Sequence, residues 1–308
     1  MDLKELNYIV TIANEGSISR AAEKLFMAQS SLSKALHLYE TELGVPIFVR
    51  TSMGVRPTAA GQAFLARARQ ILQQYHLAQS EVWDIENLKG GRVEFGISTF
   101  RGMYLLPPAL KKFRQEYPGV HVQISEMDSV DLEDQILSGL LDLALIAMPA
   151  VRLRQNLEPL MRDEILIVAT RDHPVMNSAH FEGAGGGRLW VDFCDVTGYE
   201  FILGPPTTIL GRIARQQFRK CCAEPISRNT QVTADFAASM ARAGLGLAVT
   251  YRSCRVRDEN VYYLSIGREG VFLDLALAYP AGEYRSRAAQ ALGQIFHRMY
   301  SGRAGNQL

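Results

Sequence analysis

The chain has 308 residues, with 33 basic against 32 acidic side chains, a formal net charge of +1 and 47% hydrophobic residues. That length predicts about two domains of ~100–200 residues, each with its own core, and the composition excludes a disordered or fibrous chain. Near-neutrality argues against a protein that coats nucleic acid or membrane non-specifically, yet it allows one small nucleic-acid module beside a neutral domain.

The cysteines Cys194, Cys221, Cys222 and Cys254 contain no C-x-x-C pair and make no disulfide scaffold in a chain this long, so reduced thiols are expected. Glu5, Asn7 and Asn14 interrupt the apolar residues at the start, which does not resemble a signal peptide. No run of ~20 apolar residues predicts a membrane span. A cytoplasmic protein with no membrane partner is the expectation.

Leu6, Ile9, Val10 and Ala13 recur at helical spacing and predict a first helix that stops at Gly16. Ile18, Ala21, Ala22 and Leu25 predict a second. After Phe26-Met27-Ala28 a third runs from Gln29 to Leu43, with Leu32, Leu36, Tyr39 and Leu43 inward and Gly44 as its stop. Two helices joined by a tight turn, with small alanines at the crossing, form a helix-turn-helix pattern; a plain three-helix bundle is the alternative. The outer face of the third helix favours the former. Gln29, Ser30, Ser31, Ser33, Lys34 and His37 are short or amide-bearing groups suited to base edges and phosphates, where a merely solvated helix shows Glu/Lys pairs.

Val45 to Arg50 and Val55 to Thr58 flank a Ser52-Met53-Gly54 turn and predict a small hairpin, or wing. Between Leu43 and Ser80 the chain holds Arg50, Arg56, Arg67 and Arg69 and no acid, a local positive excess beside the third helix. Thr58 then caps a long helix to about Leu88. Phe64, Ala68, Ile71, Tyr75, Ala78, Val82 and Ile85 are spaced alternately by four and three, a heptad seam that predicts a dimerisation helix. The alternative is a helix packed on its own domain.

Beyond Gly90-Gly91 strands alternate with helices. Arg92 to Ile97, Val120 to Glu126 and Asp142 to Met148 read as strands, with helices between them opening at Ser98-Thr99 and at Ser129. Similar units recur at Ile165 to Ala169, Phe201 to Leu203 and Gly246 to Thr250, with helices over Thr208–Cys222, Asp235–Ala243 and about Glu283–Tyr300. This alternation predicts an α/β region with a parallel sheet and ligand-facing loops at its strand ends. Ser98, Thr99, Ser129 and Thr233 fall at strand-to-helix turns, where hydroxyls and free N–H groups hold anions. Taken singly, each reads first as a plain N-cap; their joint position on both lobes favours a ligand site. Arg101 is a candidate partner for a carboxylate, with an ordinary solvated arginine as the alternative, and Ala147 and Pro205 are candidate cleft walls. No nucleophile elbow, metal spacing or dinucleotide fingerprint is present, and the Gly183–Gly187 tract lacks the Lys-Ser/Thr of a phosphate loop. No catalytic residue, metal ligand or cofactor is therefore assigned.

Ala21-Ala22-Glu23-Lys24-Leu25, Gln29-Ser30-Ser31-Leu32-Ser33-Lys34 and Glu42-Leu43-Gly44-Val45-Pro46-Ile47-Phe48 together resemble the N-terminal module of the LysR-type transcriptional regulators. Arg50-Thr51, Pro57-Thr58 and Gly61 continue the likeness. Departures fall at Ser30, where the family often has Pro, at Lys34, where it often has Arg, and at Met53, where a basic residue is common. Looser landmarks follow at Tyr117-Pro118, Leu141-Asp142-Leu143-Ala144, His173-Pro174 and Gly244-Leu245-Gly246. The resemblance implies a winged helix-turn-helix DNA-binding domain (1–58) and a linker/dimerisation helix (59–89). The remainder would be a two-lobed, periplasmic-binding-protein-like effector domain (90–308), with lobe I at 90–162 and 268–308 and lobe II at 163–267. Crossings between the lobes are expected at Leu160–Ile165 and Tyr262–Gly267. It further implies a homodimer assembling to a homotetramer on double-stranded promoter DNA, bending it and acting on RNA polymerase indirectly. A small anionic effector such as a carboxylate would bind between the lobes. Peroxide-sensing members use a cysteine pair, whose spacing this chain does not clearly reproduce.

Overall fold

The computed structural model describes residues 2–52, 54–85, 90–183, 187–282 and 285–301; Met53, at the expected wing tip, lies outside them. Helix α1 (Leu3–Glu15) opens on a reciprocal capping box between Asp2 and Glu5 and closes at Gly16, whose φ of 60° is left-handed. Ser17 caps α2 (Ile18–Lys24), and α3 (Gln29–Leu43) follows after the turn. Strands β1 (Phe48–Thr51) and β2 (Gly54–Pro57) pair antiparallel, as a wing should. Leu6, Ile9, Val10, Ile12, Ala22 and Leu32 make the core under these elements, each 6% exposed or less.

The long helix α4 (Ala59–Ile85) closes that core from the other side with Leu65, Ala68 and Leu72. This corrects the dimer seam. Phe64 and Ala68 belong to the chain's own core, Phe64 with its ring centroid 5.3 Å from that of Tyr39. Ile71, Tyr75, Ala78 and Val82 remain exposed, and the side chain of Ile85 lies outside the described ones. The reason is rotational. The stripe through Leu65 and Leu72 lies next to the seam, and the winged module covers both at the helix's first turns.

The second unit is built on one mixed sheet. Its first lobe contributes β3 (Arg92–Ile97), α5 (Thr99–Glu116), β4 (His121–Glu126), α6 (Ser129–Leu137) and β5 (Leu143–Ala147), with β3 parallel to both β4 and β5. Strand β6 (Leu157–Thr170) is long enough to serve both lobes. In the second lobe come β7 (His180–Glu182), β8 (Arg188–Val191), α7 (Ile209–Lys220), α8 (Ala234–Arg242), β9 (Ala248–Tyr251) and β10 (Val261–Ile266). The chain returns along β11 (Val271–Ala278) and ends in α9 (Arg287–Tyr300). Phe201, expected in a strand, makes only an isolated bridge to Leu247.

The expected crossings need one correction. From Leu157 to Ile165, β6 pairs with β11; from Ile165 to Thr170 it pairs with β9 and β10. The return therefore runs through β11, because Tyr262–Ser265 is already paired to the second-lobe half of β6. These pairings are antiparallel, so the sheet is mixed, not parallel throughout. Among the described residues the first lobe holds two apolar clusters, one with Phe95, Leu105, Phe113 and Phe296 and one with Leu132, Ile136, Leu141 and Ile146, and the second lobe holds one with Ile167, Phe193, Phe201 and Phe218.

The two units also touch. Asp84, near the end of α4, accepts the N–H of Arg287 at 2.9 Å, while the Arg287 guanidinium donates to the Asp84 carbonyl at 3.2 Å. Each residue thus satisfies a helix end that its own helix leaves open.

A candidate DNA interface and effector cleft

The third helix starts at Gln29 after Ala28, an N-cap with no side-chain hydrogen bond; Ser31 N–H donates to the Ala28 carbonyl at 3.0 Å, which leaves the Gln29 and Ser30 amides uncapped. Gln29, Ser30, Ser31 and Lys34 are exposed and Ser33 is half-buried. A groove of about 630 Å³ runs between this helix and the wing, lined by Ser30, Ser33, Lys34, His37 and Arg50 among others. Gln29, Ser31 and Arg56 lie outside that lining, with Arg56 exposed on β2. Of the four arginines in the acid-free interval, two are engaged within the chain. Arg67 donates to Gln70 at 2.9 Å and Arg69 to Asn14 at 3.1 Å. Arg50 and Arg56, both on the wing strands, are exposed.

The wing is held from several sides. Val55 N–H donates to the Gly16 carbonyl at 2.8 Å, and Thr58 Oγ1 donates to Pro46 O at 2.8 Å. A Cβ at Gly61 would lie 2.0 Å from the Ile47 carbonyl, so only glycine lets α4 approach the wing this closely. Glu40 of α3 accepts the N–H groups of Ile47 and Phe48. Its role is invisible in the sequence, since a glutamate on an amphipathic helix carries no distinguishing signal.

Ser98 and Thr99 open α5, where Ser98 is the N-cap but makes no side-chain cap bond. Ser129 is displaced from the role expected of it. Asp128 caps α6, accepting from Val130 at 2.9 Å and Asp131 at 3.1 Å, so a carboxylate already fills that helix end and repels a second anion. Thr233 caps α8 through Phe236 N–H at 3.4 Å, and Thr208 caps α7 through Gly211 N–H at 3.2 Å. Among these helix starts, only that of α5 keeps both its cap hydroxyl and its amides uncommitted. Ala147 is buried and Pro205 half-buried.

Arg101 is not solvated. It is 2% exposed, its guanidinium carbon 3.9 Å from the Tyr251 ring centroid, and among the described residues no acceptor meets its Nε or Nη2. Phe100 beside it packs against Tyr251 with centroids 5.7 Å apart, and Tyr104 donates to Asp235 at 3.1 Å, so the first turns of α5 lie against the second lobe. Burial, then the Asp235 charge, pushes the Tyr104 hydroxyl up to about 12, which keeps it a donor.

The cysteines depart from expectation. Cys194 and Cys221 form a disulfide across 27 residues, Cys222 is exposed and free, and Cys254 is buried and free. The pairing follows from the aromatic core, because Phe193 packs edge-on against Phe218 at 5.0 Å and brings the neighbouring cysteines together. Burial, then the Asp163 charge, pushes the Cys254 thiol up to about 12, an inert state. Among the described residues no cluster suits a metal ion and no helix is long and apolar enough to cross a membrane.

Residues 3–62 match the bacterial regulatory helix-turn-helix proteins of the lysR family, and residues 86–301 match the LysR substrate binding domain. The chain belongs to the LysR family of transcriptional regulators. It is a DNA-binding regulator with a substrate-binding domain, and not an enzyme. Among relatives of this LysR-type regulator is a probable HTH-type transcriptional regulator, LrrA of Synechococcus elongatus, 30% identical over 83% of each chain. Another is the uncharacterized HTH-type regulator YcgK of Bacillus subtilis, 29% identical over 96% of this chain and 94% of that one. A full-length OxyR variant from Pseudomonas aeruginosa shares the fold with a TM-score of 0.67, at 24% identity and 99% coverage of both chains. Full-length CbnR, solved with its target DNA, shares it at a TM-score of 0.61 and 18% identity, covering 97% of this chain and 99% of that one.

Proposed function

We propose that this LysR-type regulator reads an interrupted, dyad-symmetric promoter site as a homodimer, and that dimers pair into a homotetramer that bends the DNA. The carrying observation is the groove between α3 and the wing, where Ser30, Ser33, Lys34 and Arg50 share one lining. Lys34 and the serines supply base-edge and phosphate contacts in the major groove; Arg50 and Arg56 add phosphate contacts from the wing. RNA polymerase responds indirectly, through the altered bend. Lys34→Ala and Arg50→Ala are each expected to weaken binding to a duplex selected from a random pool by the wild-type protein, with the thermal midpoint unchanged. Unaltered gel-shift affinity in both variants would count against this reading.

The effector is a small anion, such as a carboxylate, held at the start of α5. Supporting this are the free Ser98 cap hydroxyl and the buried Arg101 with unmet donors, set against the filled helix ends of α6, α7 and α8. Binding there shifts the balance between lobe arrangements and hence the bend. A screen of aliphatic and aromatic carboxylates by thermal shift tests it: a stabilising compound is expected to lose its effect in Ser98→Ala and Arg101→Ala. A compound that stabilises both variants as it does wild type binds elsewhere.

A further inference from the structure

Glu40 stands on the recognition helix, three positions beyond His37, and helps line the groove in which Lys34 and Arg50 meet. A carboxylate there repels phosphate, so its presence on the DNA side of the module calls for a reason. The reason lies in its hydrogen bonds. A single oxygen, Oε1, accepts the backbone N–H of Ile47 at 2.7 Å and that of Phe48 at 3.0 Å. Phe48 begins β1, and Arg50 is two residues further along the same short strand. Ile47 is buried at 1% exposure and its carbonyl already serves Thr58 N–H at 2.8 Å, so its amide must find a partner inside the protein.

We propose that Glu40 is the positioning residue that fixes the angle between the recognition helix and the wing, and so sets where Arg50 meets the DNA backbone relative to the bases read from α3. The inference rests on the reading of α3 and the wing as the DNA-contacting elements. The neighbouring clamps, Gly16 to Val55 and Thr58 to Pro46, tie the wing to α1 and α4. Glu40 alone among them ties it to the helix that enters the groove. Because both amides converge on one oxygen, the negative charge is not what the geometry requires. One acceptor at that reach is enough, and a glutamine has it.

Three substitutions separate reach from charge. Glu40→Gln keeps the reach and removes the charge; Glu40→Asp keeps the charge and shortens the reach; Glu40→Ala removes both. The full-length protein is titrated by fluorescence anisotropy against a duplex selected from a random pool by wild type, at several salt concentrations. Glu40→Gln is expected to bind at least as tightly as wild type. Glu40→Asp and Glu40→Ala are expected to bind at least about tenfold more weakly, since two inner amides lose their acceptor. Their dependence of log affinity on log salt should also be shallower by roughly one for each phosphate that the wing no longer reaches. Mere destabilisation would reduce the active fraction and leave that slope alone. Should Glu40→Ala fail to fold, Glu40→Asp carries the test. Wild-type affinity and slope in Glu40→Asp, or a loss in Glu40→Gln as large as in Glu40→Asp, would overturn the proposal. Lys34→Ala in the same titration keeps the two failures apart. If it loses binding while the Glu40 variants do not, only the role of Glu40 falls; if it keeps binding, the reading of the groove falls too.

Discussion

At the scale of single residues the molecule spends stability in identifiable places. Phe26 sits one residue past the C-cap of α2 with φ at 53°, its N–H bonded to Glu23 O and that of Met27 to Ala22 O. That is the helix-ending motif in which glycine is usual, and a bulky side chain there is strained. The ring recovers nothing by packing, since it is 97% exposed. Phe26→Gly is therefore expected to stabilise the N-terminal unit by roughly 1 kcal/mol, a few degrees in Tm by calorimetry. A lower Tm would show that the aromatic ring is held by something else. Glu164 is the opposite case. Burial alone would raise its pKa, but bonds from Ser265, Arg252 and Arg188 outweigh burial and hold the carboxyl below the ordinary glutamate range. A depressed carboxylate contributes stability that is complete above the unfolded-chain pKa and is lost as pH falls through the folded one. Glu164→Gln should lower the melting temperature at neutral pH and flatten its decline on acidification. An acid limb of the same steepness in both proteins would remove Glu164 from the explanation.

At the scale of elements, the recognition helix was the easiest to read, because a helix face of serines, an amide and a lysine departs from the usual charged solvent face. The dimer helix was half legible. Spacing by four and three locates apolar stripes, but burial against one's own domain and burial against a partner leave the same pattern, so Phe64 and Ala68 could not be told from Ile71 and Val82. The structure separates them by exposure, with Ile71 at 49% and Val82 at 61% against 1% for Ala68. Replacing Ile71 and Val82 together by Lys is expected to weaken dimerisation by light scattering and leave the melting of each unit intact, whereas Leu72→Lys should unfold the winged module. Unchanged assembly in the double variant would take the exposed stripe out of the dimer interface. Ser129 lies inside α6 and does not cap it, for a local reason. Asp128 and Ser129 are both good caps in adjacent positions, and only the angle at which the chain enters α6 decides between them. The second crossing is not legible in the sequence, because β10 and β11 are both apolar strands separated by a short turn, and pairing partners do not show in a single strand's composition. The disulfide between Cys194 and Cys221 was equally hidden, since it depends on the packing of Phe193 on Phe218 far away in sequence.

At the scale of the whole molecule, near-zero net charge is an average over two units with different tasks. The winged module leaves Arg50 and Arg56 exposed, as the proposed phosphate contacts, while Arg67 and Arg69 are tied down internally. On the proposed reading one module with so few cations is a weak binder, and occupancy comes from two modules paired through α4. The path from cleft to DNA is short in contacts: α5 lies against the second lobe through Phe100, Arg101 and Tyr104, and the end of α4 is joined to the start of α9 by Asp84 and Arg287. On the proposed reading, a change in lobe angle has a covalent and hydrogen-bonded route to α4 and so to the spacing of the two recognition helices. The most direct test is equilibrium binding of the full-length protein to its selected duplex, compared with the same duplex carrying an unrelated sequence in place of one half-site. Paired recognition helices predict an affinity at least about a hundredfold tighter for the intact dyad; equal affinity for the two duplexes would contradict the dimeric reading of the site.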